Sequence, residues 1–309
     1  MEKTIDIICA GEVLIDFIGH EVNTSINRTK DYHRFLGGSP TNVAVNAARL
    51  GLNSVLVATC GQDGLGEYIV RKLNANNVIT SHIRKSDTEP TSVIFVSKST
   101  GTPDFIPYRE ADYQITENQI PDELLASANI FHTTCFALSK NPARTTILES
   151  AKKAKLLGLQ TSIDINFSER IWPDREEAKL VLKEYLSTNP LVKLSEDDCY
   201  RLFAESKTED FIFEYFHDLG ASTICLTKGK DGVVLSDKNF GMFYQKAQKI
   251  DEIKDTTGAG DAFWTGFLYA QLLKKSFEET ITIAQKLAIL KLQNVGRLPE
   301  DMDIEEYLK

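Results

Sequence analysis

Short apolar runs that end at glycine alternate along this chain with longer amphipathic stretches. Ile5–Ala10 is apolar and stops at Gly11, which predicts a buried strand. Thr41–Leu50 follows Gly-Gly-Ser-Pro and carries the small residues of a closely packed helix, and Val55–Cys60 is a second strand, closed by Gly61. A helix over Glu67–Asn74 and a β-branched, aromatic strand over Thr91–Ser97 come next. The turn cluster Ser99–Asp104 leads to Phe105–Tyr108, so Thr91–Tyr108 predicts a β-hairpin. From there strands at Ile130–Thr133, Gln160–Asp164, Leu191–Leu194, Thr223–Thr227 and Val233–Leu235 interleave with helices at Pro142–Leu157, Arg175–Leu186, Glu196–Phe203 and Asp261–Leu273. Such alternation predicts an α/β fold with a mostly parallel sheet covered on both faces.

Two stretches break the rhythm, Asp16–Leu36 and the Thr91–Tyr108 hairpin. Both read as strand-rich excursions, either surface decoration or a flap over a site. No linker rich in Pro, Gly or Ser, no repeat and no low-complexity tract interrupts the chain. Residues 1–309 therefore read as one domain, with a small β-strand lid at approximately 16–36 and 91–110.

Charge narrows the partners. With 35 basic and 44 acidic residues the net charge is −9, so nucleic acid and anionic membrane surfaces are not expected as partners. A phosphate-bearing ligand needs a local device here, such as backbone N–H groups or a metal. The 5 cysteines stand singly, which predicts reduced core filler, and the 5 histidines show no metal-ligand spacing. The absence of a basic, then apolar leader and of any run near 18 apolar residues gives the expectation of a cytoplasmic protein.

The richest chemistry lies at Asp255-Thr-Thr-Gly-Ala-Gly-Asp261, just before a helix. Gly258, Ala259 and Gly260 bring successive backbone N–H groups and the positive helix end to one point, a ready anion cradle. Asp261 would repel that anion unless it had a task, and a carboxylate aimed at a hydroxyl beside such a cradle suits phosphoryl transfer. The plainer reading is an N-cap aspartate. A second cluster, Gly37-Gly38-Ser-Pro-Thr-Asn42, lets the backbone pass close to a ligand, with Asn42 offering donor and acceptor to sugar hydroxyls. Its plainer reading is a turn before a helix.

The two clusters, roughly 220 residues apart, resemble the paired signatures of the ribokinase-like (PfkB) family of carbohydrate kinases. Gly11-Glu-Val-Leu-Ile-Asp16-Phe, Phe131-His-Thr-Thr, Pro142-Ala-Arg144 and Asp164-Ile-Asn166 look most like fructokinases. The resemblance implies a three-layer α/β/α fold with a strand lid and transfer of the ATP γ-phosphoryl group to a sugar hydroxyl, with fructose first. It makes Asp261 the base and the Gly258–Gly260 backbone the anion hole. Asp16, Gly37, Gly38, Asn42 and Asn166 would hold the sugar, and Thr227, Gly229 and Gly232, with Gly258 and Gly260, the ATP.

Mg²⁺ would be held through water at Ser195 and Asp198, where Asp198 replaces the family's usual glutamate; the same residues also read as a helix cap. Asp255 and Thr257 fall where relatives bind a monovalent cation, K⁺ by the oxygen supply. Ser168 stands where a related group of keto-acid sugar kinases has an arginine that clamps a carboxylate, leaving Arg170 or Arg109 as substitutes. The segment Gly296-Arg-Leu-Pro299 replaces a longer family segment near the adenine. A homodimer through the lid strands is expected. The alternatives are a 2-keto-3-deoxygluconate kinase, a ribokinase, or a sugar-binding regulator on a decayed kinase scaffold. Gly61-Gln-Asp-Gly64-Leu-Gly66 reverses the dinucleotide fingerprint, and no Walker-type P-loop occurs.

Overall fold

Strands buried on both faces need helices on both sides, and a computed structural model of the chain shows where they go. It describes residues 3–98, 104–250, 252–294, 298–299 and 303–308. Most of the turn at Ser99–Asp104, and Gly296 with Arg297, lie outside the described residues.

In chain order the elements are β1 (Ile5–Ala10), β2 (Leu14–Val22), β3 (Tyr32–Gly37), α1 (Ser39–Arg49), β4 (Ser54–Gly61), α2 (Gly64–Ala75), β5 (Ile83–Ser86), β6 (Val93–Lys98) and β7 (Phe105–Tyr108). Then follow α3 (Asp122–Ala126), β8 (Ala128–Thr134), α4 (Ala143–Leu156), β9 (Gln160–Asp164), α5 (Arg175–Leu186), β10 (Leu191–Ser195), α6 (Glu196–Phe203) and α7 (Glu209–Asp218). The chain closes with β11 (Thr223–Thr227), β12 (Val233–Asp237), β13 (Gly241–Gln245), α8 (Ala259–Leu272), α9 (Phe277–Leu292) and α10 (Ile304–Leu308).

One 9-stranded sheet runs β13-β12-β11-β10-β9-β8-β1-β4-β5. Neighbours from β5 to β11 are parallel, and β12 and β13 append antiparallel at one edge. β4 is buried at every position, as a central parallel strand must be. Above one face, side chains of α1, α2, α8 and α9 pack with Ile7, Leu56 and Leu191. Below the other, α4, α5, α6 and α7 pack with Ile8, Val57 and Val192. The result is a three-layer α/β/α fold.

The second sheet, β3-β2-β6-β7, is built from the two stretches that break the rhythm of the sequence and is called the lid below. β2 pairs antiparallel with β3 and parallel with β6, and β6 forms the expected hairpin with β7. Phe17, Tyr32 and Tyr108 gather on Phe95, with ring centroids 5.2, 5.2 and 6.0 Å from it, so the lid holds an aromatic cluster of its own.

Candidate active site

In an open parallel sheet, ligand-facing groups collect at the carboxyl ends of the strands. Glu12 follows β1, Thr134 ends β8, Asp164 ends β9, Ser195 ends β10 and Thr227 ends β11. Over this edge the lid and the start of α8 enclose a cavity of about 370 Å³, lined among others by Asp16, Asn42, Asp255, Thr257 and Gly258.

The two glycine clusters meet there. Ser39 Oγ donates to Asp261 Oδ1 at 2.7 Å, and Asn42 Nδ2 donates to Oδ2 at 2.7 Å. The carboxylate is thereby aimed by two side chains from the first turn of α1. Burial raises the pKa of Asp261, while the Ser39 and Asn42 hydrogen bonds and the charges of Lys193 and Lys291 pull it back. Gly258 caps α8 in the left-handed region at φ 74. No backbone hydrogen bond occupies the N–H groups of Gly260 or Asp261 among the described residues. An anion cradle and a carboxylate of raised proton affinity thus stand side by side.

Asp16 enters from β2. Burial, then the charge of Asp261, pushes its carboxyl up to about 7. Gly38 has φ 105, and a Cβ there would stand 2.2 Å from the Glu12 carbonyl oxygen, so only glycine lets the chain turn from β3 into α1 at this point.

Glu12 is a buried carboxylate beside these residues that sequence reasoning missed. Its Oε1 accepts from Ser39 N–H at 3.1 Å and its Oε2 from Thr134 Oγ at 3.0 Å, so it fixes the turn that presents Ser39. Burial pushes it up to about 8, against hydrogen bonds and the charge of Arg109. The native state therefore holds this proton more tightly than the unfolded chain does, whose pKa lies near 4.5. That contribution is fully present below about 4.5 and is lost as pH rises to about 8, at up to about 1.4 kcal/mol per pH unit. Relative to Glu12→Gln, the native protein should lose Tm as pH rises across this window. A Tm difference that stays constant with pH would mean that Glu12 does not titrate in it.

Several sequence-predicted residues have other positions. Arg109 is only 8 % exposed and does not line the cavity; its Nε and Nη2 donate to Asp112 Oδ2 at 2.8 and 2.6 Å, and its guanidinium lies 4.1 Å from the centre of Phe136. In this position its guanidinium is paired with a buried carboxylate rather than turned to the cavity. Arg170 is exposed and pairs with Asp104 and the Phe105 carbonyl, strapping β7 to the loop after β9. Asn166 likewise does not line the cavity; its N–H donates to Asp164 Oδ1 at 3.3 Å.

Ser195 and Asp198 form a reciprocal capping box on α6: Ser195 N–H donates to Asp198 Oδ2 at 2.8 Å, and Asp198 N–H to Ser195 Oγ at 3.1 Å. Asp255 Oδ2 accepts from Lys291 Nζ at 3.0 Å and its Oδ1 from Thr257 N–H at 3.0 Å, so an ammonium already stands where a monovalent cation was expected. Thr227, Gly229 and Gly232 form the turn after β11, beside Ser195, and Lys228 is engaged by Glu209 and Glu196.

Arg34 and Lys72, which motif reading passed over, line the cavity as well. The Arg34 guanidinium lies 3.8 Å from the centre of the Tyr68 ring and Lys72 Nζ 5.9 Å from it. Neither forms an ion pair among the described residues.

Known proteins resemble this chain in sequence and in fold. The family model described as pfkB family carbohydrate kinase matches residues 4–301. An ATP-dependent 6-phosphofructokinase of Thermoanaerobacterium thermosaccharolyticum is 32% identical over 98% of this chain and 93% of its own length. Among solved structures, a fructokinase of Halothermothrix orenii superposes with TM-score 0.81 at 32% identity, covering 93% of this chain and 99% of its own. A sugar kinase of Pyrococcus horikoshii in complex with ATP gives TM-score 0.85 at 28% identity, over 98% and 100%.

Proposed function

The chain belongs to the pfkB family of carbohydrate kinases and is an ATP-dependent sugar kinase, and from that premise we propose that it phosphorylates a primary hydroxyl of a ketohexose, with fructose first. The observation that carries this reading is the carboxylate of Asp261, gripped by Ser39 and Asn42 at the mouth of the anion cradle. Asp261 accepts the proton of the attacking hydroxyl, Asn42 and Asp16 orient the neighbouring hydroxyls, and the N–H groups at the start of α8 receive the phosphoryl oxygens. The lid excludes water, which would otherwise compete as acceptor.

ATP lies along the turn Thr227–Gly232, at the carboxyl end of β11. Three carboxylates, Asp164, Asp198 and Asp261, act on the single ammonium of Lys193, a negative excess that suits Mg²⁺. Asp198 would hold the ion through water, and when bound it would screen the ATP phosphates. Arg109 and Arg170 both have carboxylate partners outside the cavity, which favours a neutral acceptor over the acidic-sugar alternative.

A second acceptor, a ketohexose already phosphorylated at its far end, is favoured by Arg34 and Lys72 on the cavity wall and by the relative named as a 6-phosphofructokinase. ADP release in Mg·ATP, measured with fructose, fructose 6-phosphate, ribose and 2-keto-3-deoxygluconate, separates these readings. If the phosphorylated sugar is the substrate, Arg34→Ser with Lys72→Ser should raise its KM at least about tenfold, the effect of losing one charge-assisted contact. If fructose is the substrate, its KM should stay within about threefold. No sugar-dependent ADP release from any of the four would overturn the acceptor assignment.

A further inference from the structure

Lys193 is a buried ammonium that no motif assigns. It projects from β10 with 7% of its side chain exposed, and its Nζ donates to Asp164 Oδ1 at 3.0 Å and Oδ2 at 2.8 Å. An ammonium has three N–H groups. Among the described residues these two bonds are all that Lys193 Nζ makes, so one donor stands unmet in a buried place. Its direction follows from Gly260: a Cβ on that residue would lie 3.0 Å from Lys193 Nζ. The ammonium therefore sits against the first turn of α8, where the N–H groups of Gly260 and Asp261 form no backbone hydrogen bond among the described residues.

Lys193 is anchored by its carboxylate partner. Asp164 holds it from the end of the neighbouring strand, in register with it. Just beneath, Trp264 Nε1 donates to Ser162 Oγ at 2.9 Å and so ties α8 to the same edge of the sheet.

We propose that Lys193 is a catalytic residue of this kinase, its free N–H meeting an oxygen of the transferring phosphoryl group from beneath Gly260, and that Asp164 is the positioning residue that holds it there. During transfer the bond from the γ-phosphorus to the bridging oxygen of ADP breaks, the bond to the sugar oxygen forms, and the hydroxyl proton passes to Asp261. Negative charge gathers on the bridging and equatorial oxygens as this happens. An ammonium fixed in a dry place beside them stabilises that charge without having to reorganise. It also gives an acidic protein the local positive charge that its composition withholds. This inference rests on the reading of α8 as the phosphoryl cradle and of Asp261 as the base.

The test compares Lys193→Met with the double variant Asp164→Asn/Lys193→Met, in Mg·ATP with the sugar that gives turnover. The single variant strands a buried carboxylate, and if it fails to fold the double, which has no charge to strand, decides the matter. The double variant should keep its Tm within a few degrees and its sugar KM within about threefold while kcat falls at least about 100-fold, the usual effect of removing one donor from an anion hole. A purely structural pair would instead lower Tm and leave kcat intact once refolded. A kcat within about fivefold of the native enzyme would overturn the proposal. Asp261→Asn, measured alongside, separates the two assignments: full activity there would remove the underlying reading, whereas its inactivity beside an active double variant would remove only the role of Lys193.

Discussion

Asparagine in place of Asp261 should cost at least about a thousandfold in kcat while sugar and ATP still bind. The amide keeps the shape and accepts a hydrogen bond, but it cannot take the proton of the attacking hydroxyl. In free energy this is about 4 kcal/mol of lost transition-state stabilisation. Since burial raises the pKa of Asp261 and only its ionised form is a base, kcat of the native enzyme should fall on the acid side, through that raised pKa. Steady-state kinetics together with calorimetric sugar binding checks both parts. Near-native turnover in the variant would remove Asp261 from the chemistry.

The second large effect belongs to a residue that touches no substrate atom through a side chain. Gly38→Ala forces a Cβ to within 2.2 Å of the Glu12 carbonyl oxygen at a backbone φ of 105, so the turn must open. The expected loss is on the order of 3 kcal/mol, read as a fall in Tm of roughly 10 °C. Ser39 and Asn42, which aim Asp261, follow immediately, so the sugar KM should also rise at least about tenfold. Gly64→Ala is the control: a Cβ there meets nothing within 4 Å, and Tm should stay within about 2 °C. A Gly38→Ala protein with native Tm and KM would show that the turn relaxes freely.

Much of this was legible in the chain. Most of the parallel strands announced themselves as short, largely apolar stretches, and Gln160–Asp164, Arg175–Leu186 and Glu196–Phe203 coincide with the elements observed. Elements were missed where periodicity misleads. α7 reads Phe-Ile-Phe-Glu-Tyr-Phe and imitates an aromatic strand, and α9 buries so much of its surface that no single apolar stripe stands out. β13 is a mostly exposed edge and gave no apolar run.

At the site, motif spacing found Asp261 and Asn42 because their chemistry is carried by short local patterns. It could not find Lys193, a lone charge inside the apolar run Leu-Val-Lys-Leu, although a lysine in the middle of a buried strand is itself a signal that a carboxylate waits nearby. The place of Arg109 away from the cavity was hidden for the complementary reason. Its partner is Asp112 three residues on, and pairing at that distance hides an arginine that looks free in the sequence.

The lid, β3-β2-β6-β7, has a consequence for how such an enzyme can diversify. β2 carries Asp16, and β3 runs through Gly37 directly into the helix that bears Ser39 and Asn42. Apart from Lys72 and the base Asp261, the groups proposed to face the acceptor therefore lie on one continuous stretch of chain, Glu12 to Asn42, while the groups proposed for the donor come from β10, the turn after β11 and the start of α8. The two halves of the reaction occupy separate tracts of sequence. A graft of the first tract from a relative would rewrite the choice of sugar and leave the handling of ATP untouched, so new acceptors are reachable without rebuilding the phosphoryl-transfer machinery.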